Sequence, residues 1–335
     1  MDGKLFFVRE IDFNEWNLYF KECHKTNMLQ CWQYGEAKKQ SENVDVVRFV
    51  IMDQNNVAIG LAQFLIRDIP FIGGVARLNR GPIIIKNYKV KNEQTLLIEI
   101  VRALLIESKK RRWWLVRFAP EIYNSRFIDK SLKELGLKKM SLPPFASGLI
   151  DLKFNEDELL MRLKKKWRYC LRKGELNKIS TIPTTENNHN IEVLLKNYNL
   201  LQKKQKFVGI SSSLIKSLAK QKSVDWEFSL LISDEFNVKN PNSPLAMLVY
   251  IRHGDTATYL IGITTNEGKS LNINYALLWR AILRAKKDGC KWFDIGGLNS
   301  TTPEGIRHFK KGLNSELYDL TGEWKAILTP WSNIT

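Results

Sequence analysis

The sequence repeats an order of elements. A shift of 178 residues places Arg102-Ala103 on Arg280-Ala281, Leu104-Leu105 on Ile282-Leu283, Lys109 on Lys287 and Trp114 on Trp292. A shift of 176 places Leu135-Gly136-Leu137 on Lys311-Gly312-Leu313. In the first copy, Val44–Met52 and Val57–Ile69 read as a hairpin around the polar turn Asp53–Asn56, and VARLNRGPIII as a further strand run. Asn92–Lys110 reads as an amphipathic helix, RRWWLVRFAP as a strand, and Ser125–Leu135 as a helix closed by Gly136. In the second copy, WEFSLLISD and PLAMLVYIRHGDTATYLIGITT supply strands, Asn272–Lys287 the helix, CKWFDIGGL the next strand and Ile306–Lys311 the short helix. Residues 1–45 read as helical and polar. Two copies of one α/β (α+β) unit explain this order, and 335 residues suit two domains.

Between the copies lies Leu159–Lys178, which reads as one amphipathic helix. Leu160, Leu163, Trp167 and Leu171 make its apolar stripe, and Gly174 reads as its stop. Arg162, Lys165, Lys166, Tyr169, Arg172 and Lys173 fall outside the stripe. A solvated face is the ordinary reading of such charge. The net charge of +17 adds a second reading, a polyanionic partner such as nucleic acid, nucleotide phosphates or an anionic membrane surface. Beyond it, Ile191–Lys222 reads as two short helices, with Ser211–Ser213 offering an N-cap to the second.

Several chemistries leave no trace. Cys23, Cys31, Cys170 and Cys290 lack metal spacing and read as reduced thiols, so neither a metal nor a disulfide is expected. His24, His189, His253 and His308 are scattered. There is no HExxH, no GxSxG and no P-loop, since Gly268-Lys269-Ser270 lacks the upstream glycine. Gly296-Gly297 reads as a turn or as a close backbone approach to a ligand. The N-terminus has no signal pattern, and Leu96–Ile106 is broken by Glu99 and Arg102 and too short to span a bilayer. A cytoplasmic protein is expected, with the inner face of the membrane as a surface that the basic charge and Trp331 would suit.

Seven motifs occur in order: LQCWQYGEAKK, RGPI, VRFAPE, LKKKWRYCLRKGE, FDIGG, HFKKGL and TGEW. In that set the sequence resembles the Fem family of aminoacyl-tRNA-dependent, peptidoglycan bridge-forming aminoacyltransferases. The resemblance implies two tandem GNAT-like acyltransferase domains, residues 1–150 completed by 320–335, and 151–319. It implies no long coiled-coil arm, because Ile191–Lys222 is too short for one. It implies aminoacyl-tRNA as donor, an amine on a nucleotide- or lipid-linked cell-envelope precursor as acceptor, no cofactor, and a monomer. Lys310, Phe309 and Glu323 then take catalytic positions. Lys310 is expected to be mostly exposed and to stabilise the oxyanion or orient the terminal phosphate of the tRNA. Trp32, Lys38, Arg80, Arg117 and Tyr259 fall to the acceptor, and Lys165, Lys166, Arg168, Arg172 and Lys173 to the tRNA.

The sequence also departs from the family. Ala119 stands where armless relatives carry an aspartate, and it cannot transfer a proton. The arginine and tyrosine that hold the acceptor's nucleotide fall near Ser211–Leu214 without matching side chains, and a second tyrosine falls near Ile261. Two alternatives therefore stand beside aminoacyl transfer: an acyl-CoA-dependent N-acyltransferase acting on an amino sugar or other amine, and a non-catalytic RNA-binding protein. TTNEGKSLNIN does not fit the loop that cradles the CoA pyrophosphate.

Overall fold

The computed structural model describes residues 6–71, 73–85, 92–176, 179–183, 188–233, 236–237 and 240–328. The chain divides into two compact units, Met1–Ala146 with Asn299–Thr301 and Tyr318–Thr335, and Ser147–Leu298 with Thr302–Leu317.

The sheet of the first unit runs Phe7–Glu10, Asp45–Met52, Ala58–Ile69, Gly73–Asn79, Trp113–Ala119, Trp324–Ile327, Lys138–Lys139, with Ile83–Ile84 paired to Ala58–Ile69. Its hairpin turns where Asp53 accepts from the N–H groups of Asn55 and Val57 at 2.9 and 3.0 Å. Gly73–Asn79 and Trp113–Ala119 are parallel, so a crossover must join them. Helix Glu93–Lys110 is that crossover, capped by Asn92, whose side chain accepts from the Thr95 N–H. Its buried face, including Leu97, Ile100, Val101, Leu104 and Leu105, meets Phe49, Phe64, Trp113 and Phe118 in one apolar core.

The sheet of the second unit runs Glu316–Asp319, Ala146–Asp151, Trp292–Asp294, Thr256–Thr264, Ala246–His253, Trp226–Ser233, Ile179–Pro183. Again a parallel pair, Thr256–Thr264 with Trp292–Asp294, is joined by a helix, Ile273–Lys287. In each sheet the strand after that helix is flanked by an antiparallel strand from a distant part of the chain. This is Trp324–Ile327 in the first and Ala146–Asp151 in the second. The strand after the short helix lies beyond it, Lys138–Lys139 or Glu316–Asp319.

Several expectations change. The first 45 residues are not all helical, because Phe7–Glu10 pairs antiparallel with Asp45–Met52. VARLNRGPIII is not one strand; it breaks at Arg80, with φ of 49°, and a cis Gly81-Pro82 peptide bond. The helix Asn188–Gln205 has 18 residues and is not short. Ser211 does cap the second helix, Ser212–Lys220, accepting from Leu214. The short helix near the end begins earlier than expected, at Glu304.

The basic stretch is two helices, Glu156–Arg162 and Lys165–Gly174. An Asn155–Glu158 capping box starts the first. Leu163 and Lys164 between them are extended, and the Lys164 N–H bonds the Gly312 carbonyl at 3.0 Å. The buried stripe is Leu159, Leu163, Trp167 and Leu171, with Leu160 only half-buried. The second helix ends at Gly174, as expected, although Gly174 itself is helical and the cap is Glu175. A Cβ on Gly174 would lie 2.4 Å from the Asn272 carbonyl oxygen, so the glycine lets this helix close on Ile273–Lys287. Asn177, Lys178 and Trp331 lie outside the described residues. Among the described residues no helix is long and apolar enough to cross a membrane. All four cysteines are free.

Candidate functional site

In the second unit the candidate residues gather around Lys310. Helix Glu304–Lys311 is fixed by Phe309, whose ring stacks on Trp167 with centroids 6.0 Å apart and meets Tyr275 edge-on at 4.9 Å. The Trp167 Nε1–H donates to the Phe309 carbonyl at 3.1 Å. A Cβ at Gly312 would lie 2.4 Å from the Trp167 ring, so the helix can end only in a residue without one. Phe309 is thus a packing anchor, and it sets the direction of its neighbour.

Lys310 is buried, with 5% of its surface exposed, which corrects the expectation of an exposed lysine. Its Nζ lies 3.3 Å from the Gly297 carbonyl oxygen and 4.8 Å from the centroid of the Tyr259 ring. Among the described residues it has no ion pair and no second hydrogen-bond acceptor. Burial pushes its pKa down to about 8, with the charge of Asp294 opposing the shift. Burial pushes the Tyr259 phenol up.

The FDIGG motif makes the space for this lysine. Gly296 has φ of 72°, and a Cβ there would lie 2.7 Å from the Tyr259 carbonyl oxygen and 3.3 Å from the lysine Nζ. The turn is therefore a close backbone approach to a side chain of the chain itself. Asp294, buried at the strand end, accepts from the Ser147 hydroxyl at 2.5 Å and the Gly296 N–H at 2.8 Å. Ser147 and Asp294 escaped the sequence reading. The one signal in the sequence is an acid two residues before the Gly296-Gly297 pair at the end of a strand-like run.

In the first unit the candidates gather around Glu323. Arg77 and Arg117 are register partners on adjacent strands and stand side by side. The buried Glu323 carboxylate accepts from Arg117 Nε at 2.7 Å and from Arg77 Nη2 at 3.2 Å. Arg80 forks onto Glu121 with two bonds of 2.7 Å, donates to the Tyr318 hydroxyl at 2.9 Å and lies over the Phe145 ring at 4.3 Å. A cavity of about 350 Å³ opens here, lined among others by Arg77, Arg80, Ala119, Phe145 and Glu323. That volume is in the small-molecule range of roughly 300–1,000 Å³. Among the described residues Glu323 is the one carboxylate in its lining, and residue 119 contributes only a methyl group.

Trp32 and Lys38 have partners of their own. The Trp32 ring lies 3.5 Å beneath the buried Arg48 guanidinium, which donates to Glu36 at 2.8 Å and to Gln63 at 2.7 Å. A Cβ at Gly35 would collide with both Gln63 and Arg48. Burial pushes Arg48 down to about 10 despite Glu36. Lys38 pairs with Glu42. The QYGEAKK segment is thus organised around Arg48, a residue the motif does not contain.

On helix Lys165–Gly174, Lys165, Lys166, Arg172 and Lys173 are exposed, while Trp167 and Leu171 are buried. Arg168 is half-buried, its guanidinium donating to the Met161 carbonyl at 2.7 Å.

Two sheets of this topology, each with a helical crossover between its parallel strands, make a tandem GNAT-like fold. The fold matches that of FemX (15% identity, TM-score 0.76, covering 96% of this chain and 97% of that one). It also matches a tandem GNAT protein from the clavulanic acid biosynthesis pathway (8% identity, TM-score 0.58, covering 98% and 100%) and L-PGS from Bacillus licheniformis (12% identity, TM-score 0.52, covering 97% and 94%). The sequence model of the FemAB family matches residues 229–332. No curated protein matches the chain by sequence.

Proposed function

We propose that this protein moves an amino acid from aminoacyl-tRNA to an amine acceptor, such as a peptidoglycan precursor peptide or a related cell-envelope amine. The carrying observation is Lys310, a buried ammonium with one long hydrogen bond and N–H positions left for a ligand. Ester aminolysis passes through a tetrahedral oxyanion and needs a fixed donor there, away from bulk water. A buried, fixed lysine suits that task better than a freely hydrated one. The FemAB match spans Lys310. The exposed cationic face of Lys165–Gly174 suits the phosphates of a tRNA, and the 350 Å³ cavity suits an acceptor. We assign the work to a monomer in the cytoplasm, at the inner face of the membrane where the precursor is lipid-linked.

Acyl-CoA as donor is the second reading. GNAT-type CoA sites use bare N–H groups at a helix start. In the second unit the start of Ile273–Lys287 is packed instead, with the α-carbon of Gly174 against the Asn272 carbonyl. That packing favours the tRNA donor. The decisive experiment incubates the protein with individually charged tRNAs and, separately, with acyl-CoAs, following radiolabel into candidate amines. Transfer only from acyl-CoA would overturn the proposal, and RNA binding without transfer from either donor would replace it.

A further inference from the structure

We propose that Ser147, Asp294 and Gly296 hold and tune Lys310, and that Lys310 is the proton shuttle of the transfer step. The inference rests on aminoacyl transfer as proposed above. Its starting point is a missing group. Attack by an amine leaves a proton on nitrogen that has to go elsewhere, and the ribose oxygen that departs needs one. In the first unit residue 119 is an alanine, and Glu323 is committed to Arg77 and Arg117. In the second unit Asp294 is committed to Ser147 and Gly296, and burial moves the Tyr259 phenol further from neutral pH.

Lys310 has none of these commitments. It makes no ion pair among the described residues, and its single acceptor is the Gly297 carbonyl at 3.3 Å. That carbonyl belongs to the turn whose N–H at Gly296 is tied to Asp294 at 2.8 Å, and Asp294 is tied in turn to Ser147 at 2.5 Å. The same network thus fixes the lysine's place and sets the nearest negative charge. The groups facing Lys310 are the Tyr259 ring from Thr256–Thr264 and the Asp294 carboxylate from Trp292–Asp294; helix Lys165–Gly174 brings only Trp167, against Phe309. Burial with an opposing carboxylate leaves the proton affinity close to working pH, at about 8.

The step balances without a co-reactant. The acceptor nitrogen bonds to the ester carbonyl carbon and the carbonyl π pair moves to oxygen. Neutral Nζ takes the proton from that nitrogen, and the ammonium so formed is the donor that holds the oxyanion. When the tetrahedral centre collapses, the carbon–oxygen bond to ribose breaks and the Lys310 ammonium gives its proton to the ribose oxygen. An amide, a free tRNA hydroxyl and neutral lysine result.

The test has two readouts on the full chain. With lysine labelled at 13Cε, NMR should show one resonance titrating near pH 8, absent in Lys310→Arg. Asp294→Asn should lower that midpoint by about one unit, since it removes an opposite charge. Ser147→Ala, a milder change should Asp294→Asn not fold, should raise it, because the carboxylate loses a donor that spreads its charge. A wild-type midpoint at the ordinary lysine value, or one that moves in neither variant, overturns the tuning. In transfer assays the acid limb of kcat should follow the NMR midpoint from wild type to each variant. A limb that stays in place belongs to the acceptor amine and overturns the shuttle. Lack of transfer from any charged tRNA overturns the shuttle together with the reading beneath it, while the NMR titration still decides the tuning.

Discussion

Glu323 and Lys310 are both buried charged side chains near the end of the chain, one in each unit, and the fold treats them in opposite ways. Glu323 receives two guanidinium groups. Lys310 receives one carbonyl oxygen and the face of a ring. A buried charge that is paired holds structure, and its removal strands the partners. A buried charge left short of partners costs stability, and is better explained by a ligand that completes it. One fold used twice thus pairs the buried charge of one copy and leaves that of the other short of partners.

The contrast breaks first at Lys310. Lys310→Ala should slow transfer by about 10²- to 10³-fold, the usual cost of losing a donor to an oxyanion. Lys311→Ala, exposed and one residue on, is the control. Equal rates in the two folded variants would remove any special role for Lys310.

Stability should move in opposite directions. Glu323→Ala leaves Arg77 and Arg117 side by side without their carboxylate, and should cost on the order of 1 kcal/mol in urea unfolding, because both guanidinium groups still reach water. Lys310→Met should instead stabilise the protein at pH 7, by on the order of 2 kcal/mol, because it removes a poorly partnered buried charge. If both variants destabilise equally, the two residues are not treated differently.

The pH dependence sharpens the same point. Between about 8 and its ordinary 10.5, folded Lys310 holds fewer protons than the unfolded chain. Its contribution to stability therefore rises with pH across that window. The advantage of Lys310→Met over wild type should shrink as unfolding is measured from pH 7 to pH 9.5. An advantage that does not change would show that Lys310 titrates normally.

The smallest expected effect belongs to the basic helix. Reversing Lys165, Lys166 and Arg172 together should weaken tRNA binding and flatten its salt dependence, by roughly 0.7–0.9 in log–log slope for each phosphate the helix no longer neutralises. Unchanged affinity and slope would take this helix out of the RNA site.

The order of elements was legible because it is local. The periodicity of Glu93–Lys110 and the caps Asn92, Ser125 and Ser211 all lie within a few residues of what they organise. What escaped depends on distant chain. The break at Leu163-Lys164 is completed by the carbonyl of Gly312, and Gly174 is explained by Asn272. The burial of Lys310 needs the turn at Gly296, and the commitment of Glu323 needs the register of two parallel strands. The FDIGG and HFKKGL motifs meet where Lys310 reaches the Gly296–Gly297 turn, yet Ser147 has no motif. Phe7–Glu10 was missed because four residues at a sheet edge carry too little alternation to see.

Trp324–Ile327 pairs along Trp113–Ala119, and that has a consequence for synthesis. A ribosome at about 5–20 residues per second needs roughly 10–40 s to travel from the one strand to the other. For that interval the nascent first half has Val116 and Phe118 on a bare strand edge, the kind of surface that recruits chaperones or aggregates. The N-terminal half can finish folding only after Trp324–Ile327 has been made. A premature stop after residue 317 would therefore damage the half of the protein that was made first.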